Sequence, residues 1–130
     1  MSPEAKIPPE LHTLEAEVME DVWARGGEVA VRDVMDALNR RTEKPRAYTT
    51  YMTILGRLYT KGLVSRRREG KTDLYRPVYS REEYADLRAQ AGVESLVEQY
   101  GDAAFSHFAR QMAQLDPDRR RQLQRLARGE

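Results

Sequence analysis

The chain contains no cysteine, which excludes a disulfide framework, a thiolate metal site and a cysteine nucleophile and fits a reducing compartment. No apolar run approaches the roughly 18 residues of a membrane span. The opening Met1-Ser2-Pro3-Glu4-Ala5-Lys6 lacks the basic segment followed by an apolar stretch that a secretory signal needs. The expectation is a cytoplasmic protein without membrane insertion. Catalytic constellations are missing too. His12 and His107 stand alone without metal-ligand spacing, and there is no glycine-rich phosphate loop, nucleophile elbow or carboxylate pair at a strand end. Glu15, Glu17 and Glu20 read as the wet face of a helix. The chain is therefore expected not to be an enzyme and to need no metal or cofactor.

What is present fits in 130 residues, of which 40% are hydrophobic and 33% charged. That is enough for one ordinary domain with a real core, plus a modest appendage. The net charge of +1 conceals a strong asymmetry. Residues 1–39 hold 3 basic and 9 acidic side chains, residues 40–76 hold 11 and 3, and residues 80–130 hold 8 and 9. One short central segment carries the positive field that a phosphate backbone would attract.

Thr13 can cap a first helix whose apolar face is Leu14, Val18, Met19, Val22 and Trp23, ending at Gly26-Gly27. Val29 is a candidate strand residue. Val31, Val34, Met35 and Leu38 give the stripe of a short second helix, for which Ala30 is a poor cap. The turn Asn39–Arg46 contains Pro45 and cannot continue that helix. A third helix is predicted over about Ala47 to Lys61, with Gly62 as its terminator. Two strand-like runs, Leu63–Arg68 and Leu74–Tyr79, flank a polar turn and make a hairpin with a basic tip. Three helices followed by a hairpin predict a mainly α fold, a winged helix-turn-helix over residues 1–79.

On a helical wheel the third helix places Tyr51, Ile54, Leu55 and Leu58 on its packing side. Thr49, Met52, Thr53, Gly56, Arg57 and Thr60 fall on the other. That outer side has no acidic residue, although solvated faces in so charged a chain are usually built from Glu, Lys and Arg. Threonine can bond base edges or phosphates, and a glycine lets the backbone lie close to a groove wall. Arg66, Arg67, Arg68 and Lys71 place four cations within six positions around the hairpin turn, opposed only by Glu69. They are candidates for phosphate or minor-groove contact. The other reading of the same pattern is a protein-interaction module whose basic hairpin meets an acidic partner.

Residues 80–130 read as a helical dimerisation domain. Ser80 and Glu83 have capping-box spacing. From there Val93, Leu96, Val97, Tyr100, Ala104, Phe105, Phe108, Met112 and Leu115 step by three and four. Asp116-Pro117 opens a last helix with Leu123 and Leu126 on its edge. So much apolar surface requires burial, and a second copy of the chain is the economical partner.

Three runs carry a family likeness: Thr13-Leu14-Glu15-Ala16-Glu17-Val18-Met19 through Trp23, Tyr48-Thr49-Thr50-Tyr51-Met52-Thr53-Ile54-Leu55-Gly56-Arg57-Leu58, and Lys61-Gly62-Leu63-Val64. From about Leu11 to Tyr84 the chain resembles the penicillinase-repressor family (BlaI/MecI/CopY); its tail agrees in length and helical pattern. The resemblance implies a homodimeric repressor on dyad-symmetric operator DNA, often of β-lactam-resistance genes, released when a membrane sensor-protease pathway leads to cleavage in the tail. The family's DNA contacts fall on Thr49, Thr50, Thr53 and Arg57, with Arg46 just before them and Met52 where some relatives have a basic residue. The Asn-Phe bond cut in staphylococcal members aligns with Gln99-Tyr100, where the aromatic is kept in kind and the Asn is not. The copper-responsive branch uses a cysteine cluster, which this chain lacks.

Overall fold

The computed structural model describes residues 7–130; the segment Met1–Lys6, read above for a secretory signal, lies outside the described residues. In chain order the elements are α1 (Thr13–Arg25), β1 (Val29–Ala30), α2 (Val31–Asn39), α3 (Tyr48–Thr60), β2 (Val64–Glu69), β3 (Thr72–Pro77), α4 (Arg81–Tyr100), α5 (Asp102–Ala113) and α6 (Pro117–Ala127). They form two compact units, one ending at Ala89 and the other running from Gln90 to Glu130.

In the first unit, α1, α2 and α3 close around Val18, Met19, Val22, Val34, Tyr51, Leu55 and Leu58, all fully buried. The helix starts depend on carboxylates three residues along. The His12 N–H donates to Glu15 Oε1 at 3.0 Å, so the cap sits one residue before Thr13, the position expected from sequence. The Ala30 N–H likewise donates to Asp33 Oδ2 at 3.1 Å, which is how an alanine can precede α2. In each case the carboxylate satisfies one of the orphan donors at a helix start.

Glu15 also corrects the reading of α1's wet face. It is 2% exposed, and Lys61 at the end of α3 donates to both of its oxygens, at 2.7 and 2.8 Å. Burial pushes its pKa up. The hydrogen bond from Lys61, the bond from the His12 N–H and the Lys61 charge together outweigh that, and hold the carboxyl below its usual range.

The three strands form an antiparallel sheet in the order β1-β3-β2, with Val29 opposite Tyr75 and Arg66 also opposite Tyr75 on the other side. Val64 and Tyr75 bury into the core, but β2 is exposed from Ser65 onward, so the hairpin extends past the core as a wing. Glu69 pairs with Thr72, leaving Gly70-Lys71 as a two-residue loop. Gly70 has φ 61° and Lys71 has negative φ, the II′ combination whose twist suits a hairpin and whose first position favours glycine.

Ser80 and Glu83 make both bonds of the expected capping box, at 2.9 and 3.0 Å. The first turns of α4 are tied to the first unit. Tyr84 packs on Trp23 with ring centroids 5.4 Å apart and donates to the Pro9 carbonyl at 3.1 Å, while Arg88 reaches the Pro8 carbonyl at 3.3 Å. The division between units accordingly falls inside α4.

In the second unit the apolar series does not run along one helix. Gly101, at φ 54° and ψ −128°, separates α4 from α5 in a conformation that side-chain-bearing residues avoid. As expected, Asp116 caps α6, accepting from the Arg119 N–H at 2.9 Å, with Pro117 as the first helical residue. Arg120 then donates to the carbonyls of Met112, Ala113 and Leu115 at 3.0, 3.1 and 2.9 Å. One guanidinium thus ties together three carbonyls at the turn from α5 into α6.

Candidate nucleic-acid interface

The α3 helix is positioned before it begins. At the end of α2, Asn39 grips the backbone of Arg46 from both sides: its Oδ1 accepts from the Arg46 N–H at 3.0 Å and its Nδ2 donates to the Arg46 carbonyl at 2.9 Å. The hydroxyl of buried Tyr51 donates to the same Oδ1 at 2.7 Å. One side chain therefore fixes the turn, the approach to α3 and the rotation of α3 about its axis. Sequence reasoning missed this role. The signal was an asparagine at a helix end ahead of a proline turn, which by itself reads only as a turn former.

With Tyr51, Ile54, Leu55 and Leu58 buried, α3 presents Thr49, Met52, Thr53, Arg57 and Thr60 to solvent, the two faces predicted from the wheel. Thr49, Thr50, Thr53 and Arg57 surround a shallow hollow of about 280 Å³. Among the described residues these four side chains have no hydrogen-bond or ion-pair partner. Thr50 is half-buried, and Thr60 bonds back to the Gly56 carbonyl at 3.1 Å instead of facing outward freely. Arg46 is exposed at the helix entrance, with one nitrogen 4.0 Å from Glu17. Arg32 of α2 lies over the Tyr48 ring at 5.6 Å, adding a cation beside this face. Sequence reasoning did not single it out.

The four wing cations occupy different situations. Arg66 stacks over the Tyr59 ring at 4.1 Å, and Lys71 stands exposed in the turn. Arg67 grips Glu28 with both arms, at 2.8 and 2.9 Å, and touches Glu69 at 3.3 Å. That bidentate bond holds the Glu28 carboxyl below its usual pKa range. Arg68 reaches Asp73 at 3.4 Å and the Gly70 carbonyl at 3.3 Å. Among the described residues Arg66 and Lys71 make no ion pair, whereas Arg67 pairs with Glu28 ahead of β1 and Arg68 with Asp73 in the wing.

In the second unit, Val93, Leu96, Tyr100 and Phe105 are exposed, the last two at 61% and 57%. Val97, Phe108, Met112 and Leu115 are half-buried. Leu96, Tyr100, Ala103, Ala104, His107 and Phe108 line a groove of about 320 Å³. Gln99 and Tyr100 are exposed at the last positions of α4, immediately before the break at Gly101. Among the described residues no cluster of His, Asp and Glu is arranged to hold a metal ion.

Known proteins place this architecture. BlaI transcriptional regulators of two Mycobacterium tuberculosis strains, CDC 1551 / Oshkosh and H37Rv, are each 36% identical over 121 residues, covering 92% of this chain and 86% of theirs. The solution structure of the DNA-binding domain of the repressor BlaI aligns with a TM-score of 0.50 at 28% identity, covering 61% of this chain and 92% of that one. A solution structure of monomeric Bacillus licheniformis BlaI with the blaP half-operator aligns at 0.48 and 26%, covering 59% and 90%. The sequence pattern of the penicillinase repressors matches residues 11–128, and the chain belongs to the penicillinase-repressor family.

Proposed function

We propose that the protein is a DNA-binding transcriptional repressor, neither an enzyme nor a membrane protein, that acts in the cytoplasm as a homodimer on a dyad-symmetric operator. The carrying observation is the outer face of α3: hydroxyls and a guanidinium without internal partners, no acid, and a backbone anchored by Asn39. Arg46, Thr49, Thr50, Met52, Thr53 and Arg57 form the base- and phosphate-reading surface in the major groove. Arg66 and Lys71 bind phosphate from the wing, Arg68 assists, and Arg67 supports through its bond to Glu28.

Residues 80–130 supply the dimer. The exposed apolar side chains Val93, Leu96, Tyr100 and Phe105, with half-buried Val97, Phe108, Met112 and Leu115 beside them, meet their counterparts on a second copy. Coupling two half-site contacts raises affinity by roughly 10² to 10⁴ without new base contacts. The regulated genes are those of a β-lactam response or a related operon. Relief of repression follows a membrane sensor-protease pathway that ends in cleavage near Gln99-Tyr100, at the end of α4 just before Gly101. Among the described residues no helix is long and apolar enough to cross a membrane. The alternative of a protein-interaction module that turns its basic hairpin to an acidic partner is disfavoured by the outer face of α3, whose acid-free array of hydroxyls and a guanidinium suits a duplex.

The test is to select duplexes from a randomised pool with the full-length protein and to footprint the winner. The proposal expects two protected half-sites related by a dyad. Recovery of no consensus, or of a single asymmetric site, contradicts it.

A further inference from the structure

We propose that Met52 reads the 5-methyl group of a thymine in the major groove and sets base preference at one position of each half-site, an inference that rests on the DNA-binding reading above. Met52 is 46% exposed between Thr49 and Thr53 on the outer face of α3. The core side of this helix is made by Tyr51, Ile54, Leu55 and Leu58, so Met52 adds nothing to it. From Thr49 to Arg57 it is the one large apolar side chain at an exposed position. Its neighbours offer hydroxyls and a guanidinium to the polar edges of the bases. The apolar feature that the major groove presents is the thymine methyl. An unbranched, polarizable thioether adapts its shape to such a small apolar target.

Gly56 supplies a second, independent observation. Long helical side chains lean toward the N-terminus, so the residue at i+4 covers the one at i. A long side chain at position 56 would lean toward Met52. Glycine there weakens the helix relative to alanine, yet a Cβ built at Gly56 meets nothing within 4 Å. Packing inside the protein therefore does not demand the glycine. What it provides is clearance on the outer side of α3, where it leaves Met52 open to the groove.

The experiment uses the full-length protein and the duplex it selects from a randomised pool, with each thymine replaced singly by deoxyuridine. This removes one methyl and leaves every hydrogen-bonding edge of the pair intact. At one position in each half-site, affinity is expected to fall about fourfold, or ~0.8 kcal/mol for one methyl-sized apolar group. The same replacement should have no effect on Met52→Ala, and Met52→Leu should keep the sensitivity. Circular dichroism establishes that both variants are folded. If no thymine is sensitive, or if Met52→Ala keeps the full sensitivity, the inference is overturned. Loss of the sensitivity in Thr53→Ala instead would assign the methyl contact to threonine. A protein that selects no duplex at all overturns the DNA-binding reading, and this inference with it.

Discussion

Replacing Gly56 by alanine should make the protein more stable and a poorer operator binder. A glycine in a helix interior costs about 0.8–1 kcal/mol relative to alanine, through backbone entropy lost on folding. Gly56 lies within α3, and the added Cβ would meet no atom within 4 Å, so no clash offsets the gain. For a domain of this size 1 kcal/mol raises Tm by roughly 4–8 °C. On DNA the sign reverses, because the new methyl stands on the outer side of α3, where helix and groove wall approach. A loss of about tenfold, or ~1.4 kcal/mol, is expected for operator binding. Thermal unfolding by circular dichroism and fluorescence anisotropy on a labelled operator measure the two effects, at one fixed protein concentration because dimerisation contributes to stability. A variant that is more stable and binds operator as tightly as the parent would refute the close approach of α3 to DNA.

Lys61→Ala should destabilise the fold by about 2–3 kcal/mol, less than the 3–5 of a fully buried pair because the Lys61 side chain is 26% exposed. The Glu15 carboxyl has a lowered folded pKa, so its contribution is complete above its unfolded value and is lost as pH falls through the folded one. Urea titrations of parent and Lys61→Ala should converge on acidification, and a constant gap down to the acid limit would count against the pair. Asn39→Ala leaves the Tyr51 hydroxyl without its acceptor and should cost about 1–3 kcal/mol in denaturant unfolding, with a larger loss of operator affinity than the stability change implies. In the wing, Lys71→Gln should reduce the slope of log affinity against log salt by roughly 0.9 per half-site, about 1.8 for the dimer on its operator, whereas Arg67→Gln should leave it unchanged. A full-unit drop in Arg67→Gln would make that residue a phosphate contact. Leu96→Asp combined with Phe105→Asp should shift sedimentation toward monomer and weaken operator binding by roughly 10² or more. Undiminished dimerisation would move the interface elsewhere.

The recognition face was legible because it depends on helical periodicity alone. Once Tyr51, Ile54, Leu55 and Leu58 are assigned inward, Thr49, Met52, Thr53 and Arg57 have nowhere else to point. The caps at Ser80 and Asp116 were equally legible, since each depends on a contact only three residues away. Glu15 was misread because its partner is 46 residues distant, and a helix wheel cannot distinguish a wet glutamate from one buried against a lysine of another helix. The same limit hid the Arg67–Glu28 pair, which links residues 39 apart and divides the wing cations into paired and open ones. The break at Gly101 was passed over because the three-and-four apolar spacing continues across it. The glycine was the signal, and its weight became clear only from a backbone conformation that suits glycine.

The central claim is that the basic middle of the chain and the outer face of α3 serve duplex DNA. Its most direct measurement is a pair of equilibrium isotherms, at 50 and 200 mM salt, for the full-length protein on its selected duplex and on an unrelated one. Phosphate-driven recognition predicts tight binding to the selected duplex, much weaker binding to the other, and a loss of about 10³-fold or more on both between the two salt concentrations if six or more phosphates are contacted. Affinity that ignores both salt and sequence would contradict the account.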